Sequence, residues 1–158
     1  MQKCLEMFGV AENMVSLLVE SMKEWSTEMT SGGITLGTVN IRRGIFQGDS
    51  LSPLLFVLTL IPLTMVLRDV KAGYDLGGKI GRVDHLLFMD DLKLYGKNER
   101  EVDTLAHTVR VFSEDIGMQF GINKCAVLIM KKGKMTKCEE IKMPDGSLTR
   151  NIDEGDVY

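Results

Sequence analysis

Two acids stand side by side, Asp90 and Asp91, in the stretch "HLLFMDDLKLYG" at residues 85–96, with apolar residues close on both sides. Carboxylate oxygens are hard ligands, and magnesium takes one or two of them together with substrate phosphates. Two such ions, about 3.5–4 Å apart, can stabilise both the attacking and the leaving oxygen of a phosphoryl displacement. A buried carboxylate is costly unless something pairs with it, so a bound cation would explain how the acids tolerate an apolar setting. Adjacent aspartates also make ordinary solvated turns, and the pair alone fits both readings.

The elements around the pair decide whether both acids can serve one site. Successive side chains of a strand point to opposite faces, so neighbours share a site only where the chain turns. Apolar strands at His85–Met89 and Leu92–Tyr95 place the acids at a hairpin tip. After them Asn98 and Glu101 form a capping box, and Val102, Leu105, Val109, Phe112 and Ile116 mark one helical face that Gly117 closes. Before them Ser52 and Pro53 read as a capping hydroxyl followed by proline in the first helical position. The helix they start is apolar nearly all round, which predicts burial on most sides, and Pro62 should kink it or end its first half.

Further out, Val10, Met14, Leu17, Leu18, Met22 and Trp25 recur at helical spacing over residues 10–25. Gly32, Gly33 and Gly37 then break that pattern, and Ile34/Leu36 and Val39/Ile41 alternate as in a hairpin. Residues 120–130 return to strand character, and "MPDGS" at 143–147 reads as a turn between two short strands. Five lysines and no acids lie between Lys124 and Lys137, a local positive patch in a chain of net charge −3.

The 158 residues, 44% of them hydrophobic, fit one domain with a real core. A net charge of −3 means that any polyanion must be met by a local patch or a metal ion. The odd number of cysteines (Cys4, Cys125, Cys138), without Cys-x-x-Cys spacing, argues against a disulfide framework or structural zinc and fits a reducing, intracellular compartment. His85 and His107 read as ordinary histidines. The opening residues carry no secretory signal, and the apolar run at 54–67 falls short of the roughly 20 residues of a membrane span, so no membrane is expected.

Three motifs in order carry a resemblance. "RRGIFQGDSLSPLLF", "FMDD" and "GMQFGINKCAVLIM" resemble successive motifs of reverse transcriptases, and the flanking text is most similar to the non-LTR (LINE-type) retrotransposon enzymes. The resemblance covers essentially the whole chain and implies a partial reverse transcriptase domain over 1–158. The implied fold is α+β, a polymerase palm-like antiparallel sheet with helices packed on one face. The implied reaction is magnesium-dependent, template-directed DNA synthesis, with an RNA template, a DNA primer and deoxynucleotide triphosphates as partners. Asp90 and Asp91 match the Mg2+ ligands. Gln47 and Gly48 would lie against template and incoming nucleotide, where glycine lets the backbone approach closely. Ser52 and Pro53 would start the helix backing the site, Lys124 would approach the triphosphate as a general acid, and Arg42 and Arg43 would be phosphate or template contacts.

The family pattern also needs a third carboxylate, on a strand before residue 1, with fingers before it and a thumb after residue 158. The resemblance therefore implies a palm segment lacking the strand of the first catalytic aspartate, inactive by itself and open at a sheet edge through which it could self-associate. Asp49 and Asp84 are poorly placed in the sequence to replace the missing acid. Two other readings stay open: a non-catalytic nucleic-acid- or protein-binding module derived from a retroelement, and an unrelated metal-dependent phosphotransferase.

Overall fold

A computed structural model describes residues 1–42, 44–45, 48–119, 121–138, 141–143, 146–153 and 155. They fall into two units, Met1–Pro62 and Leu63–Tyr158. The first contains α1 (Gln2–Met7), α2 (Glu12–Lys23), β1 (Ser26–Ser31), β2 (Ile34–Asn40) and the start of α3 (Ser52–Asp69). Leu5, Val15 and Leu55 form its buried core, with Met1, Val10, Leu18, Val19, Ile45 and Leu58 packed around them. Each buried leucine contributes roughly 1.5–3 kcal/mol relative to exposure.

The hairpin of this unit differs from the one read in the sequence. Residues 34–40 form one strand, paired antiparallel from Ile34↔Ser31 to Asn40↔Ser26. Its partner, "STEMTS", is exposed throughout and polar but for Met29, so no alternation announced it. The connection is Gly32–Gly33, both left-handed at φ +58° and +80°, which matches the twist that a two-residue hairpin turn needs.

The entry to α3 also differs. Ser52 is the first helical residue and Pro53 the second. The Asp49 carboxylate, in the turn before the helix, accepts the Leu51 N–H at 3.3 Å and the Ser52 hydroxyl at 3.2 Å. A carboxylate accepts more strongly than a hydroxyl at this positive helix end, so Ser52 donates instead of capping. The helix continues through Pro62 to Asp69 without ending there. Burial is confined to a stripe of Ser52, Leu55, Leu60, Leu63 and Leu67, while Leu54, Val57, Met65 and Val66 are exposed. By length and composition alone, this 18-residue helix is long and apolar enough to cross a membrane.

The second unit contains the end of α3, β3 (Tyr74–Asp75), β4 (Arg82–Val83), β5 (His85–Phe88), β6 (Asp91–Leu94), α4 (Glu99–Ile116), a 3-10 turn (Ile122–Lys124), β7 (Ala126–Val127), β8 (Ile129–Lys131), β9 (Lys134–Thr136) and β10 (Arg150–Asn151). Its core is Leu63, Leu67, Ala72, Leu105 and Val109, with Val70, Leu92, Leu94 and Phe112 against it. The sequence-read ends of α4 are correct: the Asn98 side chain accepts the Glu101 N–H at 3.0 Å, and Gly117 is left-handed at φ +71°. The Glu101 carboxylate completes a different pairing from a capping box. It accepts the backbone N–H groups of Lys97 at 3.0 Å and Gly73 at 3.1 Å, and these bonds hold its pKa below the ordinary carboxylate range.

The α+β class holds, but the described strands do not join into one antiparallel sheet with helices on one face. They form five two-stranded sheets: β1–β2, β3–β4, β5–β6 and β8–β9 antiparallel, and β7–β10 parallel. Each antiparallel pair joins strands adjacent in the chain, so local turns, not long-range ladders, set the pairing. At 143–147, Met143 N–H donates to Ser147 at 2.8 Å beneath a Lys142↔Leu148 bridge, in accord with a turn; residues 144 and 145 lie outside the described set.

Candidate functional site

The β5–β6 hairpin runs in register from His85↔Leu94 through Leu86↔Lys93 and Leu87↔Leu92 to Phe88↔Asp91. Two residues, Met89 and Asp90, make the turn. Met89 takes φ +53°, a left-handed position that costs a side chain about 1–2 kcal/mol and that glycine would occupy cheaply. Alternation then sorts the apolar flanks. Leu87 and Leu92 are half-buried, whereas Leu86, Phe88, Asp91 and Lys93 are exposed on the opposite face.

Asp90 and Asp91 are therefore brought together at an exposed tip, one in the turn and one opening β6. The expectation that a cation offsets their burial in apolar surroundings is corrected: they tolerate the segment because the chain turns there and water reaches both. The donor set still suits a hard cation. Two carboxylates beside each other are what magnesium uses when substrate phosphates and water complete its shell. Among the described residues, no group of three or more His, Cys, Asp or Glu side chains is assembled to hold a metal.

The base of the same hairpin carries a polar cluster that single residues in the sequence did not reveal. His85 Nδ1 donates to the Asp84 carboxylate, and Nε2 lies 3.1 Å from the Thr64 hydroxyl of α3. The two charged-type side chains are only 7% and 10% exposed. Asp84 also accepts the Tyr95 N–H on its backbone carbonyl at 2.8 Å, extending the ladder one step beyond His85↔Leu94. Asp84 is thus committed to His85 at the end of the hairpin away from Asp90. The available signal was adjacency, an Asp-His pair opening an apolar strand; the partner Thr64, 21 residues earlier, is a tertiary fact.

The remaining candidates occupy separate elements. In the first unit Gly48 is exposed with φ +97°, so glycine is required there by the backbone itself. Ser52 is buried at the start of α3 and Pro53 is exposed beside it. Arg42 is exposed and lines a concavity of about 550 Å3 with Met22, Lys23, Glu24, Asn40 and Ile41. Gln47 and Arg43 lie outside the described residues. In the second unit Lys124 is exposed at the end of the 3-10 turn, whose Lys124 N–H donates to Gly121 at 2.7 Å. Next to it, burial pushes the Cys125 thiol up from its ordinary value.

Comparison with known proteins adds independent findings. A family model described as reverse transcriptase (RNA-dependent DNA polymerase) matches residues 2–143. A retrovirus-related Pol polyprotein from type-1 retrotransposable element R2 of Popillia japonica is 32% identical over 125 residues, covering 77% of this chain and 17% of that protein. A second such polyprotein from the same organism is 29% identical over 124 residues, 78% of this chain and 20% of the relative. The Pol polyprotein from type-2 retrotransposable element R2DM of Drosophila melanogaster is 25% identical over 136 residues, 85% and 12%. The chain spans a fifth or less of the length of these curated relatives.

Proposed function

The chain belongs to the reverse transcriptase family, with relatives among the non-LTR retrotransposons, and from that premise we propose that it supplies the catalytic hairpin of an RNA-directed DNA polymerase. The observation that carries the reading is the exposed Asp90–Asp91 tip within the matched segment. The reaction is attack of a primer 3′ hydroxyl on the α-phosphorus of a deoxynucleotide triphosphate, with pyrophosphate leaving. Asp90 and Asp91 would hold Mg2+, which when bound supplies positive charge to the phosphate oxygens. Lys124 would meet the triphosphate and protonate the leaving pyrophosphate, a role its exposure permits. Gln47 and Gly48 would lie against template and incoming nucleotide, with Arg43 on phosphate. Ser52 and Pro53 fix the start of the helix behind them.

Membership in this family fits a palm-like arrangement of the described elements. In this reading 1–158 is one segment of the catalytic domain. It contributes two carboxylates to the site, Asp90 and Asp91. The outer edges of β5 and β6 have no strand partner among the described residues, which supports a third strand there, or self-association in its absence. The test is Mn2+ added to the 15N-labelled chain with a deoxynucleotide triphosphate. Amide signals of residues 88–92 broaden first in the wild type and no longer do so in Asp90→Ala; broadening spread evenly over the acidic surface refutes the assignment.

A second reading, a non-catalytic binding module, rests on the exposed lysines of β8 and β9. Primer extension separates the two: a polymerase loses it in Asp90→Ala, whereas a binding module extends no primer with or without that carboxylate.

A further inference from the structure

The β8–β9 hairpin breaks local rules without an internal gain. Its register pairs Ile129↔Thr136, Met130↔Met135 and Lys131↔Lys134, so two ammonium groups sit directly across from each other, an arrangement that destabilises a ladder. Between them Lys132 and Gly133 make the turn with φ +53° and +75°. Lysine in a left-handed position is unfavourable where asparagine or glycine is the usual choice. Lys131, Lys132, Lys134 and Lys137 are all exposed.

Among the described residues, Lys131 is the one lysine of this hairpin that is compensated. Glu99, the first residue of α4, accepts Lys131 Nζ at 3.1 Å on one oxygen and the Cys138 thiol at 3.7 Å on the other. That carboxylate ties the hairpin to the start of α4. Among the described residues Lys132, Lys134 and Lys137 make no ion pair. The next acids in sequence, Glu139 and Glu140, lie outside the described residues. Among the described residues, Lys132 and Lys134 of the hairpin and the adjoining Lys137 are three cations without an ion pair, a concentrated positive field on a chain whose net charge is −3.

We propose that the β8–β9 hairpin is a phosphate-backbone contact for a nucleic-acid strand, made through Lys132, Lys134 and Lys137. The inference deepens the polymerase reading and rests on it, because it assigns the strand-holding surface of the same chain. No aromatic residue lies between Ala126 and Cys138, so there is no platform on which bases stack. The contact is therefore electrostatic, insensitive to base sequence, and equally open to RNA and DNA, which share the phosphodiester.

The experiment is fluorescence anisotropy of the full 158-residue chain with labelled single-stranded RNA and DNA oligonucleotides from about 50 to 200 mM KCl. Replacing three phosphate-contacting lysines is expected to reduce the slope of log Kobs against log[salt] by about 2, at roughly 0.7 per contact on a single strand. The test variant is Lys132→Gln/Lys134→Gln/Lys137→Gln, and Lys→Arg at the same positions restores the slope. A control of equal charge, Lys3→Gln/Lys71→Gln/Lys79→Gln, leaves it near the wild-type value. Equal loss in test and control variants overturns the proposal, as does binding to phosphatidylserine vesicles with none to either oligonucleotide. Asp90→Ala, made in the polypeptide whose reading frame contains this chain, separates the two claims: it removes primer extension while the lysine-dependent salt slope stays. A polypeptide that extends primers yet shows an unchanged slope in the lysine variant sinks this inference alone. Lysine-dependent binding by the polypeptide whose reading frame contains this chain, with no primer extension by it, sinks the polymerase reading.

Discussion

Replacing His85 with leucine should loosen the β5–β6 hairpin from its base. The change strands the Asp84 carboxylate, 10% exposed, without its ring partner, and leaves the Thr64 hydroxyl without the Nε2 contact at 3.1 Å. Removing one member of a buried pair costs about 3–5 kcal/mol, because the charge that remains is uncompensated. The Thr64 hydroxyl is only partly buried and can turn to water, so its loss adds little. The small remaining exposure argues for the lower half of that range, so about 3–4 kcal/mol is expected, equivalent to roughly 10 °C in Tm for a chain of this size. The pair is not worth that much in itself. Asp84→Leu/His85→Leu, which removes both polar partners, should recover most of the loss, and the cycle should show strong coupling. Urea unfolding followed by circular dichroism gives the energies, and amide exchange at Leu86–Leu94 localises the effect. A loss below about 1 kcal/mol for His85→Leu, or additive single changes, would show that the cluster does not clamp the hairpin.

Other consequences are independent of this one. Leu105 is fully buried between Leu63, Leu67, Ala72 and Val109, so Leu105→Ala should cost about 3–5 kcal/mol in a denaturant titration, whereas Val111→Ala, 42% exposed, should cost under about 1. Glu101 has a depressed pKa, chiefly from the Lys97 N–H and then the Gly73 N–H, so its contribution is present above the unfolded carboxylate value and is lost as pH falls through the lower folded value. The urea midpoint should therefore fall on acidification from about pH 5, and Glu101→Gln should flatten that fall; an unchanged profile contradicts the assignment. Gly73 has φ +133°, and a Cβ there would meet the Val83 carbonyl at 2.8 Å, so Gly73→Ala should destabilise by about 1–3 kcal/mol in the same titration.

What the sequence made legible was local. The ends of α4 followed from Asn98 and Gly117, whose preferences are set by their own backbone neighbours. The hairpin tip at Asp90–Asp91 followed from apolar runs on either side of a polar pair. The polar strand Ser26–Ser31 was not legible, because an exposed strand has no alternation to display. Nor was the half-exposed α3, since an apolar composition says what could be buried and the neighbours decide what is. The Asp84–His85–Thr64 cluster and the double duty of Glu99 depend on contacts 21 to 39 residues apart, beyond the reach of any window.

The central claim is that Asp90 and Asp91 belong to a working polymerase site. Its most direct test is primer extension on a primed RNA template by the polypeptide whose reading frame contains this chain, with Asp90→Ala, Asp91→Ala and wild type compared under Mg2+. Extension by the wild type that drops to background in Asp90→Ala, with template binding retained, is the expected result. Extension undiminished in both aspartate variants would contradict the claim and move the chemistry elsewhere.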